Sequence, residues 1–480
     1  MLPAPGWQPG RRLRWRELYR EAELYKAAVR VYTKPLFQWR KALSVSTDGR
    51  TLYDLAGHGL RCLDAMHRAL ARENFEFRPA VALKYNFNGK RRTLYITPWE
   101  ERIVDLLLYR LLTRKLHTWF SPCSYAYRDR IYGLDRCQSR IAGVLRAGTG
   151  PLYVVKRDIT DYFGSINHEI LLAQLARLVD MDDYLFRLLQ QRVRFRFHDE
   201  EGDHEAQVGI PFGTAIACLF ANVYLTDLDR EIESIPDVHY FRYADDILSI
   251  TPSHIAALRV QSQLERAVDH LALRFKPSLQ ADLILSSSES AIGEFRGAEE
   301  FRHLGLLFRA SGTVGLSRDK CRKIQNLFRF AFRRARRRWT RCKDAEARAR
   351  ALVEVARECI EQGVRNVAIL DYYLKHVDDE AQLRRLDRWL AEEVLSRVFG
   401  GHKKGHFRRI GFARLRAMGL PSLVHRRRLI RRARIESPFF IWQKQKVARA
   451  FRGTVARLHR AASVDAVFSP LPEAAAGDRL

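Results

Sequence analysis

The chain has 480 residues, with 84 lysines and arginines against 55 aspartates and glutamates, a formal net charge of +29 at pH 7. Hydrophobic residues make up 47% and aromatic residues 11%, enough to fill real cores, so a disordered chain and a small disulfide-stapled module are excluded and the length sets a prior of about two to four domains. Such a charge surplus cannot pair internally, and the phosphate backbone of nucleic acid is its commonest partner, ahead of a solvated basic face or an anionic membrane. Seven cysteines, odd in number and without a CxxC pair, imply neither a zinc knuckle nor a disulfide framework. With no apolar run long enough to span a bilayer, a soluble, cytoplasmic protein without a membrane partner is expected.

In chain order, Trp15 to Tyr32 and Leu52 to Glu73 carry helical spacing of apolar side chains. Ala80 to Thr97 reads as a hairpin turned at Asn88-Gly89, and Pro98 opens an apolar helix through Ile103, Leu107 and Leu111. Pro151 to Ile159 is a strand candidate containing a carboxylate near its end, followed by a helix over His168 to Leu178 behind an Asn167 cap. Tyr240 to Thr251 reads as two apolar strands joined at Asp245-Asp246. A strand, helices and then a hairpin with acids at its bend describe an α+β fold rather than a doubly wound sheet. From Leu316 onward the pattern is nearly all helical, ending in an Ala/Pro-rich tail over Ser463 to Leu480. Within that region Arg309 to Lys343 holds 13 basic residues and one acid, and Lys403 to Arg434 holds 12 and none. Helices of that density need counter-charge, which phosphate would supply.

Phosphoryl transfer onto a hydroxyl is catalysed mainly by positioning and electrostatics, and its two-metal form requires two or three carboxylates in one place. Asp158 closes one predicted strand, and Asp245 with Asp246 sits in the hairpin bend. An isolated Asp-Asp pair is ordinarily a turn or a helix cap. Here it has ordered company.

Asp158-Ile-Thr-Asp-Tyr-Phe163-Gly-Ser-Ile166, then Val208-Gly-Ile-Pro-Phe-Gly213 with Leu219-Phe-Ala-Asn-Val-Tyr-Leu225, then Tyr243-Ala-Asp-Asp246, resemble the three palm motifs of the reverse transcriptase family in its bacterial, group II intron-like lineage. Gly89-Lys-Arg-Arg-Thr-Leu-Tyr-Ile-Thr-Pro98 and Ser124-Tyr-Ala-Tyr-Arg128 are similar to its fingers motifs, and Phe301-Arg-His-Leu-Gly305 to its primer grip. The resemblance implies a right-hand polymerase with an extended helical, basic C-terminal region. Its parts would be an N-terminal helical extension over 1–74, fingers over 75–150, palm and primer grip over 151–310, thumb and basic extension over 311–462 and a tail over 463–480.

The same resemblance implies that Asp158, Asp245 and Asp246 are catalytic and hold two Mg²⁺ ions, with Mn²⁺ as a substitute. Lys90 and Arg92 would meet the triphosphate, and Phe163, Phe212 and Gly213 would line the nucleotide. Phe163 matches the bulky side chain that excludes a ribose 2′-hydroxyl, although an ordinary core phenylalanine remains the alternative. Tyr243, Leu304 and Gly305 would contact primer and template, Tyr243 having a core role as its alternative. Gly209, Pro211 and Gly213 suit a loop of close backbone approach.

Three polar positions of the lineage's second motif are Val208, Phe212 and Ala217 here, and the fourth-motif lysine aligns with Leu279, with Lys276 as a nearby substitute. Neither an endonuclease signature nor the Val-Thr-Gly retron marker is present. These departures, with the long helical extension, resemble the abortive-infection and unknown-group reverse transcriptases of antiphage defence. The expected partners are an RNA template, a non-coding RNA in particular, dNTPs and a DNA product, with an oligomer compatible. Two alternatives stay open: template-independent or protein-primed synthesis by the same site, and a catalytically silent RNA-binding scaffold or splicing cofactor.

Overall fold

The computed structural model describes residues 10–33, 44–57, 59–87, 90–128, 132–278, 282–286, 292–361 and 366–432. The chain divides into two units, one of residues 1–137, 154–281 and 446–480, the other of residues 138–153 and 282–445. The tail over 463–480 lies outside the described residues.

In the first unit β1 (Ala80–Phe87) and β2 (Lys90–Ile96) form the expected antiparallel hairpin, in register from Val81 opposite Ile96 to Phe87 opposite Lys90. Its turn, Asn88-Gly89, lies outside the described residues. β3 (Leu152–Asp158) buries Val154 and Val155 completely and presents Asp158 at its end. Two strands not expected from the sequence, β4 (Arg196–Asp199) and β5 (Gly202–Glu205), extend the β1–β2 sheet, β4 running parallel to β1. Their polar sequences, RFHD and GDHE, carry no apolar alternation because their side chains are largely exposed or only half-buried.

β6 (His239–Tyr243) and β7 (Asp246–Thr251) form the acid-bearing hairpin, and the sheet order runs β6, β7, β3. The bend is one residue earlier than expected: the two turn residues are Ala244 and Asp245, and Asp246 already pairs with Tyr243. The helices Thr226–Glu233 and His254–His270 pack on β6 and β7 respectively. The helix Trp99–Lys115 starts behind Pro98 and buries Ile103, Val104, Leu107, Leu108 and Leu111. Asp105 on that helix is buried too, gripped by both ends of the Arg192 guanidinium at 2.8 Å. Asn167 caps the helix His168–Ala176 through Ile170 N–H. The first expected N-terminal helix is interrupted, extended backbone at Tyr19 separating Trp15–Leu18 from Glu21–Thr33; the second is helical over Leu52–Gly57 and Gly59–Ala71, residue 58 lying outside the described residues.

The second unit holds the parallel pair β8 (Asp282–Leu285) and β9 (Arg296–Ala298), then a meander of β10 (Glu300–His303), β11 (Leu306–Arg309) and β12 (Val314–Leu316). Beyond Leu316 the described elements are all helices, as the periodicity predicts. On Arg318–Arg334 the inward side chains are Ile324, Phe328 and Phe332, spaced four apart, and they leave a basic outer face. The expectation that both basic clusters lack internal counter-charge is corrected: in the earlier one Arg309 pairs with Asp379 at 2.7 Å and Arg329 with Glu393 at 3.3 Å, and the later one is paired more extensively. Arg416 pairs with Asp387 at 3.1 Å, Arg426 with Asp371 at 2.6 Å, Arg428 with Glu380 at 3.1 Å, and Arg414 with Glu346. These acids lie on helices distant in sequence, so a local charge count could not register them. No helix among the described residues is long and apolar enough to cross a membrane.

Candidate active site

The acid cluster is assembled by backbone pairing. Asp158 ends β3, and beyond it Thr160 N–H donates to the Arg274 carbonyl at 2.8 Å while Lys276 N–H donates to the Asp158 carbonyl at 2.8 Å. That pairing sets Lys276 Nζ 2.6 Å from Asp158 Oδ1. Asp245 arrives on the β6–β7 turn, near enough to Asp158 for the charges of the two carboxyl groups to act on one another.

Ala244 holds the turn in the left-handed region at φ 58°, a conformation that L-residues adopt at a cost of roughly 1–2 kcal/mol. A buried network beneath the turn supports it. Arg242, fully buried, donates to both oxygens of Asp229 at 2.6 Å, to Ser124 Oγ at 2.9 Å and to the Ala244 carbonyl at 3.1 Å. A strained conformation persists where its surroundings over-determine it, and here the guanidinium ties the strained carbonyl to a paired charge.

Burial raises the pKa of Asp245, and the Asp158 charge raises it further. Asp246 is pushed up to about 6 by burial, with Lys156 opposing and the Asp158 and Asp245 charges adding to the rise. Both shifts express like charges crowded in a poorly solvated place. Among the described residues no group of three His, Cys, Asp or Glu side chains forms a ready-made metal cage. The donor chemistry still fits magnesium, a hard cation that is typically held by one or two carboxylates completed by substrate phosphates and water.

The remaining expected residues fall into three groups. Phe163, Phe212 and Gly213 belong to the first unit with the acids. Phe163 is half-buried, which disfavours the core reading, and stands edge-on to Phe212 with ring centroids 5.4 Å apart and to Tyr127 at 6.3 Å. Gly213, at φ 103°, passes so near β2 that an added Cβ would lie 2.8 Å from Leu94 Cδ1. Gly209 provides close approach to the chain itself, since a Cβ there would meet the Gly164 backbone at 3.0 Å. Tyr243 is half-buried opposite Asp246. Lys90 and Arg92 lie on the β2 backbone, opposite Phe87 and Tyr85, but their side chains and Leu279 fall outside the described residues. Leu304 and Gly305 form the β10–β11 turn of the second unit, at φ 47° and 81°, with the Leu304 carbonyl accepting from Gln138 Nε2 at 3.0 Å.

Sequence reasoning did not single out Lys156, Tyr127, or the Arg242–Asp229 pair. Lys156 was legible as the residue two before Asp158, on the same strand face. Tyr127, at φ 58°, is half-buried near Asp245, and burial raises its hydroxyl pKa well above the ordinary value. The Arg242–Asp229 pair had no local signal, because its members lie on different elements.

Residues 88–287 match the model of the reverse transcriptase (RNA-dependent DNA polymerase) family. The chain is 24% identical over 189 residues to the COX1/OXI3 intron 1 protein of Saccharomyces cerevisiae, covering 39% of this chain and 22% of that protein. It is 28% identical over 137 residues to the Escherichia coli retron Ec83 reverse transcriptase, covering 28% and 40%. The chain thus spans under a quarter of the intron protein's length and well under half of the retron enzyme's. Among solved structures, telomerase from Candida albicans in complex with a TWJ fragment of telomeric RNA aligns at a TM-score of 0.42 and 10% identity, over 76% of this chain and 70% of that one. The match to the reverse transcriptase family model thus falls on the α+β part of the chain that carries the acid hairpin beside β3.

Proposed function

We propose that this protein is an RNA-directed DNA polymerase that extends a 3′-hydroxyl with dNTPs at Asp158, Asp245 and Asp246. The observation carrying this reading is the gathering of Asp158 at the end of β3 with Asp245 and Asp246 on the adjoining β6–β7 hairpin, their charges acting on one another and Asp246 raised to about 6. A binding scaffold has no use for three crowded acids, whose charge repels nucleic acid. Asp158, Asp245 and Asp246 would hold Mg²⁺, which when bound acidifies the attacking hydroxyl and neutralises the leaving pyrophosphate. Phe163, backed by Phe212, would exclude the ribose 2′-hydroxyl, and Lys90 and Arg92 would meet the triphosphate. In this reading residues 75–150 serve as fingers, 151–310 as palm and primer grip, and 311–462 as thumb and basic extension.

The template we propose is a dedicated non-coding RNA, held by phosphate contacts along the basic outer face of Arg318–Arg334, and the setting antiphage defence. The substitutions Val208, Phe212 and Ala217 support that narrower placement. The test is to purify the protein from its own locus, incubate it with Mg²⁺ and labelled dNTPs or rNTPs, and sequence the nucleic acid it carries, beside an Asp245→Ala, Asp246→Ala protein. DNA that requires the acids and copies a bound RNA is expected. Acid-dependent DNA with no template match would favour untemplated synthesis, and bound RNA without incorporation would overturn the polymerase reading. The defence role fails if the locus protects cells from phage equally well with the acid-substituted protein.

A further inference from the structure

The second unit contains a cavity of about 80 Å³ that the proposed reaction does not use. Its polar wall consists of Gln138, Ser139, Arg146, Lys375, His376 and Arg431, and β11 and β12 contribute only apolar residues. No acid lines it. Three helices bring the cations together: Arg146 lies in the last turn of Leu134–Ala147, Lys375 and His376 end Asn366–His376, and Arg431 ends Leu423–Arg431.

A basic residue in the last turn of a helix ordinarily complements the C-terminal dipole, an effect of about 0.3–1 kcal/mol. That explains a cation at each helix end, but not three ends converging on one cavity with no acid in its lining. Arg146 is also held in place: Asp378 pairs with it while accepting from Val314 N–H at 2.5 Å. Gln138, in the same wall, ties the cavity to the Leu304-Gly305 turn through the Leu304 carbonyl at 3.0 Å.

We infer that this cavity is a phosphate-binding site that receives one backbone phosphate of a nucleic-acid strand beside the Leu304-Gly305 turn. The charge of the wall selects the ligand class: an anion with several acceptor oxygens, which a phosphate supplies. Guanidinium groups suit its oxygens through forked hydrogen bonds, and a lysine adds a point charge. The proposed function enters only in making the owner of the phosphate a primer or template strand.

The test uses the full-length protein and a fluorescent RNA–DNA hybrid with a recessed 3′ end, with affinity measured across a KCl series. Lys375→Gln with Arg431→Gln removes two exposed cations, so folding is not at stake. Binding about tenfold weaker near 0.15 M salt is expected, with the slope of log affinity against log salt reduced by about 1. A charge-matched control, Arg259→Gln with Arg266→Gln on the helix His254–His270, should leave that slope nearly unchanged. Equal effects of the two variants would overturn the site. A second arm measures thermal stabilisation by inorganic phosphate. If phosphate stabilises the wild type and not the Lys375/Arg431 variant while hybrid binding is equal in both, the site serves free phosphate and the strand assignment falls. A slope change in a protein that incorporates no nucleotide would leave this site standing and remove the polymerase reading instead.

Discussion

Replacing Lys276 with methionine should make the protein bind divalent metal more tightly. The ammonium sits 2.6 Å from Asp158 Oδ1, where it neutralises an acid that the proposed reaction needs for a cation. The two side chains are 37% and 42% exposed, so solvent screens the pair, and such pairs contribute only about 0.2–1 kcal/mol to stability. For metal binding the relevant quantity is the repulsion between one ammonium and a dication. Unit charges ~4 Å apart in water interact by about 1 kcal/mol, hence roughly 2 kcal/mol for a doubly charged ion. Lysine's flexible stem allows partial retreat, which leaves about 1 kcal/mol, or roughly fivefold in affinity. The assay is Mn²⁺ binding by electron paramagnetic resonance on nucleic-acid-free protein, alongside the Mg²⁺ concentration for half-maximal incorporation. Both midpoints should fall about fivefold in Lys276→Met. Unchanged or weaker metal binding would refute the reasoning and would mean that Lys276 positions Asp158 rather than competing for it.

Other consequences follow from the same geometry. Because Asp246 is raised to about 6, the folded protein binds more protons than the unfolded chain between about pH 4 and 6, so this group's contribution to stability is lost as pH rises through that window. In EDTA, Asp246→Asn should therefore melt higher than wild type at pH 7.5, by about 1–2 kcal/mol, with the difference shrinking toward pH 4. A constant difference across the range would contradict the burial argument. Arg242→Met leaves Asp229 as an unpaired buried charge and should cost about 3–5 kcal/mol in urea unfolding, while Arg242→Met with Asp229→Leu should recover most of it. Equal losses in the single and double variants would show that Arg242 acts through the Ala244 carbonyl instead. Phe212→Ala removes one edge-to-face partner of Phe163, an interaction of about 0.5–1.5 kcal/mol, so discrimination between dNTP and rNTP by kcat/KM should fall about two- to tenfold. Undiminished discrimination would separate Phe212 from the sugar-sensing wall.

What the chain order of residues determined on its own was local. Strand alternation predicts the β1–β2 hairpin and β3, Pro98 and Asn167 mark two helix starts, and 3.6-residue spacing predicts the helices beyond Leu316, because each depends only on neighbours within a few positions. The three acids were legible through their ordered motifs. Tertiary structure alone decided which groups surround them. Lys276 reaches Asp158 because residues 274–276 pair with residues 158–160, and Arg242 finds Asp229 across two elements; neither contact has a sequence period. Likewise, a charge count marks Lys403 to Arg434 as unpaired, yet folding brings Glu346, Asp371, Glu380 and Asp387 to its arginines. Charge and burial act through space at a few ångströms, so their partners emerge only when distant segments are packed together.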